Sequence, residues 1–244
     1  MGKINKFILW LSFIFLLFSF WNRNAISNHI ILSPEMFNEP QQYQIIKAPF
    51  LATFNDVHYK ISPLYSYDLY GLVVSYRFHN SDTGLHKRWN DHLNVADVCI
   101  VWRNSAKNPL LNKIDFWNGQ FSCRLQTDNR RAWAFFNMDQ LSNNHLISDD
   151  GFIRNAIKDL KVGDQVHIKG WLSNYGVDGQ AGVRGTSTVR TDTGNGACET
   201  IYVNQFEIIR AYNNPWRFVM YLSLIVFIIV FIVYFITPHK RRTH

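Results

Sequence analysis

Recognisable catalytic signatures are missing from this sequence. It has no GxSxG, no SxxK and no papain-type cysteine setting, which excludes the familiar nucleophile motifs. It has no P-loop and no dinucleotide fingerprint, so nothing marks a phosphate cradle. It has no HExxH and no CxxC, and the six-residue step from His86 to His92 suits neither helix nor strand neighbours. No metal and no cofactor are expected. Three cysteines, Cys99, Cys123 and Cys198, are too few for a disulfide-built miniprotein. There is also no internal repeat and no low-complexity tract.

Acidic residues are absent from both ends of the chain, and this explains a formal net charge of +7. Six of the 25 basic residues, Lys3, Lys6, Arg217, Lys240, Arg241 and Arg242, flank two apolar runs, leaving 19 basic against 18 acidic residues between them. A nucleic-acid footprint needs a basic face. This near-neutral middle offers none, so no nucleic-acid partner is expected.

The apolar runs organise the rest. Phe218 to Thr237 holds about twenty uncharged residues, which at ~1.5 Å rise covers a ~30 Å hydrocarbon core. Trp216 and Arg217 stand at one end, and Tyr234 with the basic tail at the other, the pattern of an aromatic belt with a positive-inside flank. Near the start, Lys3 and Lys6 precede an aromatic run to Trp21. The segment Asn22 to Ser27 makes a poor cleavage site, so this run reads as an uncleaved anchor. The expected arrangement is 1–6 as a cytoplasmic tail, 7–21 as a transmembrane helix, and 22–47 as a stalk containing Pro34 and Pro40. Residues 48–212 form an extracytoplasmic domain, 217–237 a second transmembrane helix, and 238–244 a cytoplasmic tail. A bacterial inner membrane is the expected setting.

Strand signals dominate the middle. Val57 to Ile61 alternates and should end at Pro63. Tyr70 to His79 alternates most clearly, with Leu72, Val74, Tyr76 and Phe78 on one face. Further strands are predicted at Asp97 to Trp102 and Gln120 to Gln126, with a loop over Asn104 to Asn112. Ser148-Asp149-Asp150 caps one short helix with apolar residues at helical spacing. The last strand, Glu199 to Ile209, switches parity between Val203 and Phe206, which calls for a bulge. Asp192 to Gly196 should be a plain turn with a favoured Asn-Gly pair; it lacks the oxygen ladder of a calcium loop.

Leu160 to Leu172, LKVGDQVHIKGWL, carries a tight turn into a strand that reaches a glycine. It resembles the helix-to-strand passage of small OB-like β-barrels. The fold class expected is therefore a β-rich α+β domain, a small barrel or sandwich, OB-like by that resemblance, with one short helix, flanked by two transmembrane helices.

Candidate site residues come from two signals. Cys99 and Cys123 each fall in a predicted strand and are a candidate disulfide, with Cys198 as the competing partner. The polar segment from His86 to Cys99 holds Trp89, Asp91 and Asn94, which form either a turn or a recognition surface. Trp89, Trp117 and Trp171 fall on turns or polar strand positions and would make a binding patch if exposed. Arg184, Arg190, Asp192 and Glu199 suggest a structural ion-pair group. The leading functional expectation is a membrane-anchored binding domain, an accessory or structural subunit contacting another membrane or envelope protein. The alternatives are a small-ligand or glycan binder, and a hydrolase using the Asp91/His92/Asp97 region.

Overall fold

A computed structural model describes residues 3–193 and 197–237. Residues 194–196, which hold the expected Asn-Gly pair, and the basic tail 238–244 lie outside the described residues. The chain divides into two compact units, one made of the two terminal segments and the other of Ile26–Tyr212.

In the first unit, helices α1 (Lys3–Asn22) and α6 (Pro215–Ile236; the helices between them are introduced below) are long and apolar enough to cross a membrane. Phe13 meets Phe227 at 5.8 Å and Phe18 meets Trp216 edge-on at 5.0 Å. Ser12, Ser19 and Ser223 are buried, as small residues are where two apolar helices approach closely. The hydroxyl of Ser19 is satisfied within its own helix, donating to the carbonyl of Phe15 at 2.6 Å. Asn214 caps α6 by accepting from the Trp216 N–H, and its amide nitrogen lies 3.0–3.1 Å from the carbonyls of Asn22, Arg23 and Ala25. That side chain fastens the end of one helix to the start of the other.

The second unit is a mixed α+β structure built on a large sheet. Its elements are β1 (Gln41–Gln44), β2 (Phe50–Phe54), β3 (Val57–Phe78), α2 (Gly84–Arg88), β4 (Asn94–Val101), α3 (Arg103–Ala106), β5 (Asp115–Asn118), β6 (Cys123–Gln126), α4 (Arg130–Ala134), β7 (Leu141–Ile147), α5 (Gly151–Lys158), β8 (Gln165–Val177) and β9 (Cys198–Arg210). The seven-stranded sheet runs β1-β3-β4-β7-β9-β8, with β2 on β3 and a further pairing of β8 with β3. Only β7 and β9 run parallel among these pairs. Strands β5 and β6 form a separate hairpin.

Pro63 does not end its strand. β3 continues for 22 residues because the proline sits at a register shift against β8, between Pro63 and Tyr65, where the ladder is already interrupted. Upstream, Asn55 and Asp56 both take positive φ and close the β2–β3 hairpin. The stretch read as a stalk is also more than a connector. Met36 is fully buried, and β1 pairs with β3 from Asp68 to Tyr65. The predicted loop after Trp102 contains α3, and the predicted strand from Gln120 begins only at Cys123.

Other local signals have clear structural counterparts. Asp150 caps α5, accepting from the N–H groups of Phe152 and Ile153. The parity switch in β9 falls where Gly170 pairs Val203 and Lys169 pairs Gln205. One extra residue there brings Phe206 and Ile208 onto the same core as Ile201 and Val203. At the turn into β8, Gly163 takes φ +91° and a Cβ would stand 2.3 Å from the Tyr212 ring. The main core gathers Leu69, Val98, Ile100, Leu146, Ile168 and Ile201, all fully buried.

Candidate functional site

Strand pairing sets the site. In β4, β7 and β9, Asp97 lies opposite His145, Cys99 opposite Asn143, Asn143 opposite Cys198, and His145 opposite Thr200. Side chains alternate along a strand, so Asp97, Asn143, His145 and Cys198 share one face of three adjacent strands. The intervening residues Val98, Ile100 and Leu146 face the apolar core.

Asp97 is the buried centre of this face. His145 donates to its Oδ1 from Nδ1, and Nε2 of His79 stands 2.9 Å from the same oxygen. Burial alone would push this carboxyl's pKa up. The two histidines outweigh that penalty and hold it well below the usual carboxylate range. His145 is 1% exposed, and burial drives its pKa down despite Asp97, so the imidazole is neutral at neutral pH. With Nδ1 committed to Asp97, its Nε2 makes no hydrogen bond among the described residues, and the ring lines a cleft of about 830 Å³.

A second acid–histidine pair adjoins the first. The His79 and His86 rings lie 4.0 Å apart, and His86 Nδ1 sits 3.0 Å from Asp91 Oδ2. Tyr175 donates to that same oxygen at 3.0 Å, and the Asn94 N–H approaches Oδ1 at 3.4 Å. Burial opposes ionisation of Asp91, but His86, the Tyr175 hydroxyl and the charge of Arg184 hold its pKa below the ordinary value. Tyr175 is driven well above its ordinary pKa, chiefly by burial and also by Asp91. Tyr59 is pushed up to about 12 by burial; its hydroxyl donates to the Asn90 carbonyl and accepts from the His92 N–H.

Arg184 also lines the cleft. Its guanidinium lies 4.3 Å over the Phe121 ring and makes no ion pair among the described residues. Phe121, at φ +57°, stacks in turn on half-exposed Trp89 at 5.6 Å. The hairpin carrying Phe121 is fixed from below. A disulfide joins Cys123 to Cys99 with a Cα separation of 5.6 Å, and Asn118 bonds both the Ser75 hydroxyl and the Asp97 carbonyl.

Cys198 is the free thiol of the cleft. Its Sγ accepts from Asn143 Nδ2 and its S–H donates to the Phe121 carbonyl, each at 3.5 Å, and burial pushes its pKa up. Among the described residues, no three His, Cys, Asp or Glu side chains are arranged to hold a metal ion.

Of the residues singled out in the sequence, Trp89 and Asp91 line this cleft. Asn94 is buried beside them on β4, with neither side-chain polar atom partnered. Trp117 lies on the β5–β6 hairpin and Trp171 on β8, outside the cleft lining. Trp171 is covered by Tyr202, Phe50 and the Lys47 ammonium. His92 bonds Asn90 through its ring, whereas Asp97 takes its histidines from β7 and the end of β3. Arg190 pairs with Glu199 at 2.9 Å; Arg184 belongs to the cleft. Sequence reasoning missed His79, His145, Tyr175 and Arg184, and the position of Cys198. The available signal was the polar run Ser142 to His145 between apolar Leu141 and Leu146. No protein family, curated protein or solved structure matches the chain.

Proposed function

We propose that the chain is a membrane-anchored protein whose outward domain binds a small organic anion, a carboxylate or phosphate, in the His145–Asp91 cleft. The observation that carries this reading is the guanidinium of Arg184, which lines a cleft of about 830 Å³ and makes no ion pair among the described residues, beside neutral His145, two tyrosines and the Asp91 carboxylate, whose ionised form its charge favours. Such a cation offers charge-assisted hydrogen bonds that its neighbours do not consume. Both terminal helices act as anchors, with Lys3, Lys6 and the basic tail holding both ends in the cytoplasm of a bacterial cell. The Cys99–Cys123 disulfide supports an oxidising compartment for the domain. Five strands whose pairings close a cycle, β3-β4-β7-β9-β8 and back to β3, with α5 between β7 and β8, support an OB-like barrel as its form.

The test uses the full-length protein in detergent. Succinate and inorganic phosphate should raise its melting temperature, and Arg184→Ala should abolish the shift while leaving the unliganded transition in place. Equal shifts in both proteins, or none in the wild type, would remove the reading.

Exposed Trp117, Trp133 and Phe135 favour a second reading, an accessory subunit that contacts another envelope protein. A stoichiometric partner retained by the wild type and lost from folded Trp117→Ala/Trp133→Ala protein would support it.

A further inference from the structure

We propose that Cys198 is a nucleophile for acyl transfer, with His145 as its general base, Asp97 as the residue positioning His145, and an anionic ester or thioester held by Arg184 as substrate. This rests on the anion-binding reading and adds a reaction to it. Three observations converge. Cys198 and His145 both line the cleft, on the same face of neighbouring strands and one diagonal step apart in register. His145 is 1% exposed, its ring lines the cleft, its Nδ1 is tied to a carboxylate, and its Nε2 makes no hydrogen bond among the described residues. Asn143, 4% exposed, donates its amide N–H to the sulfur and leaves its own Oδ1 unpartnered.

These parts suit a general-base mechanism. Burial keeps the sulfur protonated at neutral pH, so attack requires a neighbouring acceptor. Neutral His145 provides one, because Asp97 fixes the tautomer with the proton on Nδ1 and the lone pair on Nε2. In the first half-reaction the S–H turns from the Phe121 carbonyl to Nε2 and passes its proton there while sulfur bonds to the acyl carbon. The carbon–heteroatom bond of the ester or thioester then breaks, and the leaving alkoxide or thiolate takes the proton from the imidazolium. In the second, His145 removes a proton from water and the resulting hydroxide attacks the acyl–sulfur carbon. The thiolate leaves and is reprotonated, releasing a carboxylic acid. Atoms and electrons balance with water alone as co-reactant.

The experiment uses full-length protein in detergent with two chromogenic esters, the p-nitrophenyl monoester of glutaric acid and neutral p-nitrophenyl butyrate. The glutarate ester should give a burst of about one p-nitrophenolate per chain, followed by turnover, with the glutaryl mass mapped to Cys198. Cys198→Ser should lose the burst. His145→Asn should slow acylation by roughly 10²–10⁴-fold. Asp97→Asn should shift the inflection of the pH–rate profile, an effect that a purely structural role would not produce. An unacylated, folded wild type would overturn the proposal, as would His145→Asn acylating at the wild-type rate. If His145→Asn does not fold, the wild-type profile decides. Acylation that climbs only through the free-thiol range near pH ~8.5 would overturn the role of His145. Equal rates for the two esters would overturn the substrate class. Protection of Cys198 from iodoacetamide by succinate, without any dependence on His145, would sink the nucleophile and leave the anion-binding reading standing.

Discussion

The two faces of β4, β7 and β9 use the same backbone for opposite purposes. One face carries Val98, Ile100, Leu146 and Ile201 into the core. The other, offset by a single residue, carries Asp97, Asn143, His145 and Cys198. Both are largely buried, so burial alone does not separate them. What separates them is partner type. The first face is satisfied by contact with apolar neighbours, and the second by a limited set of directed hydrogen bonds with polar atoms left over. Stability can be distributed over many apolar contacts, whereas the directed bonds single out a few positions.

Mutations can test that division. The largest effect should come from Leu146→Ala on the apolar face, with a loss of about 2–5 kcal/mol in urea unfolding of the solubilised protein. A loss under about 1 kcal/mol would place the core elsewhere. Next, Cys99→Ser/Cys123→Ser should cost roughly 3 kcal/mol, the amount expected for a 24-residue crosslink. It should also weaken the succinate response, since Phe121 loses its tether.

A polar intruder on the apolar face sharpens the contrast. Glu199, beside Ile201 on β9, is 3% exposed, and burial pushes its pKa up to about 7 despite Arg190. Its folded-state pKa lies above its unfolded value, so the folded protein binds the extra proton between about 4.5 and 7. Its contribution to stability must therefore fall as pH rises through that window. Melting temperature measured from pH 4.5 to 7.5 should lose part of this slope in Glu199→Gln; an unchanged slope would reject the assignment. The smallest effect should be that of Arg184→Ala, within about 0.5 kcal/mol of wild type, because this cation makes no ion pair among the described residues. A larger loss would show that the cleft cation also holds the fold.

Sequence patterns revealed one of these faces much more readily than the other. The parity switch in β9 is a consequence of apolar burial, so it could be read without coordinates. The alternation in Tyr70 to His79 does not hold, because a register shift falls between Val73 and Ser75, Val73 joins one apolar cluster while Leu72 and Val74 join another, and Phe78 is exposed. β7 could not be read this way. Ser142, Asn143, Asn144 and His145 look like a loop, and they form a strand because β4 and β9 pair with it on both sides. Asn144 is buried there by bonding Val98 and Ser142. The cleft residues are scattered from Tyr59 to Cys198, and only tertiary pairing brings them together, so no linear motif exists to be found. Trp171, at a polar strand parity, is partly buried against Phe50, Tyr202 and Lys47. Pro63 follows the breaker rule only where a ladder hydrogen bond is needed, and the register shift removes that need.

The Asn214 side chain has a topological consequence. By holding the carbonyls that follow α1 at the threshold of α6, it makes Ile26 to Tyr212 a loop with both ends clamped. Such a segment behaves as a circularised chain. As long as the two helices stay associated, its unfolded form has less freedom than a chain with separated ends. A single backbone cut within the domain would then relocate the termini without releasing either fragment.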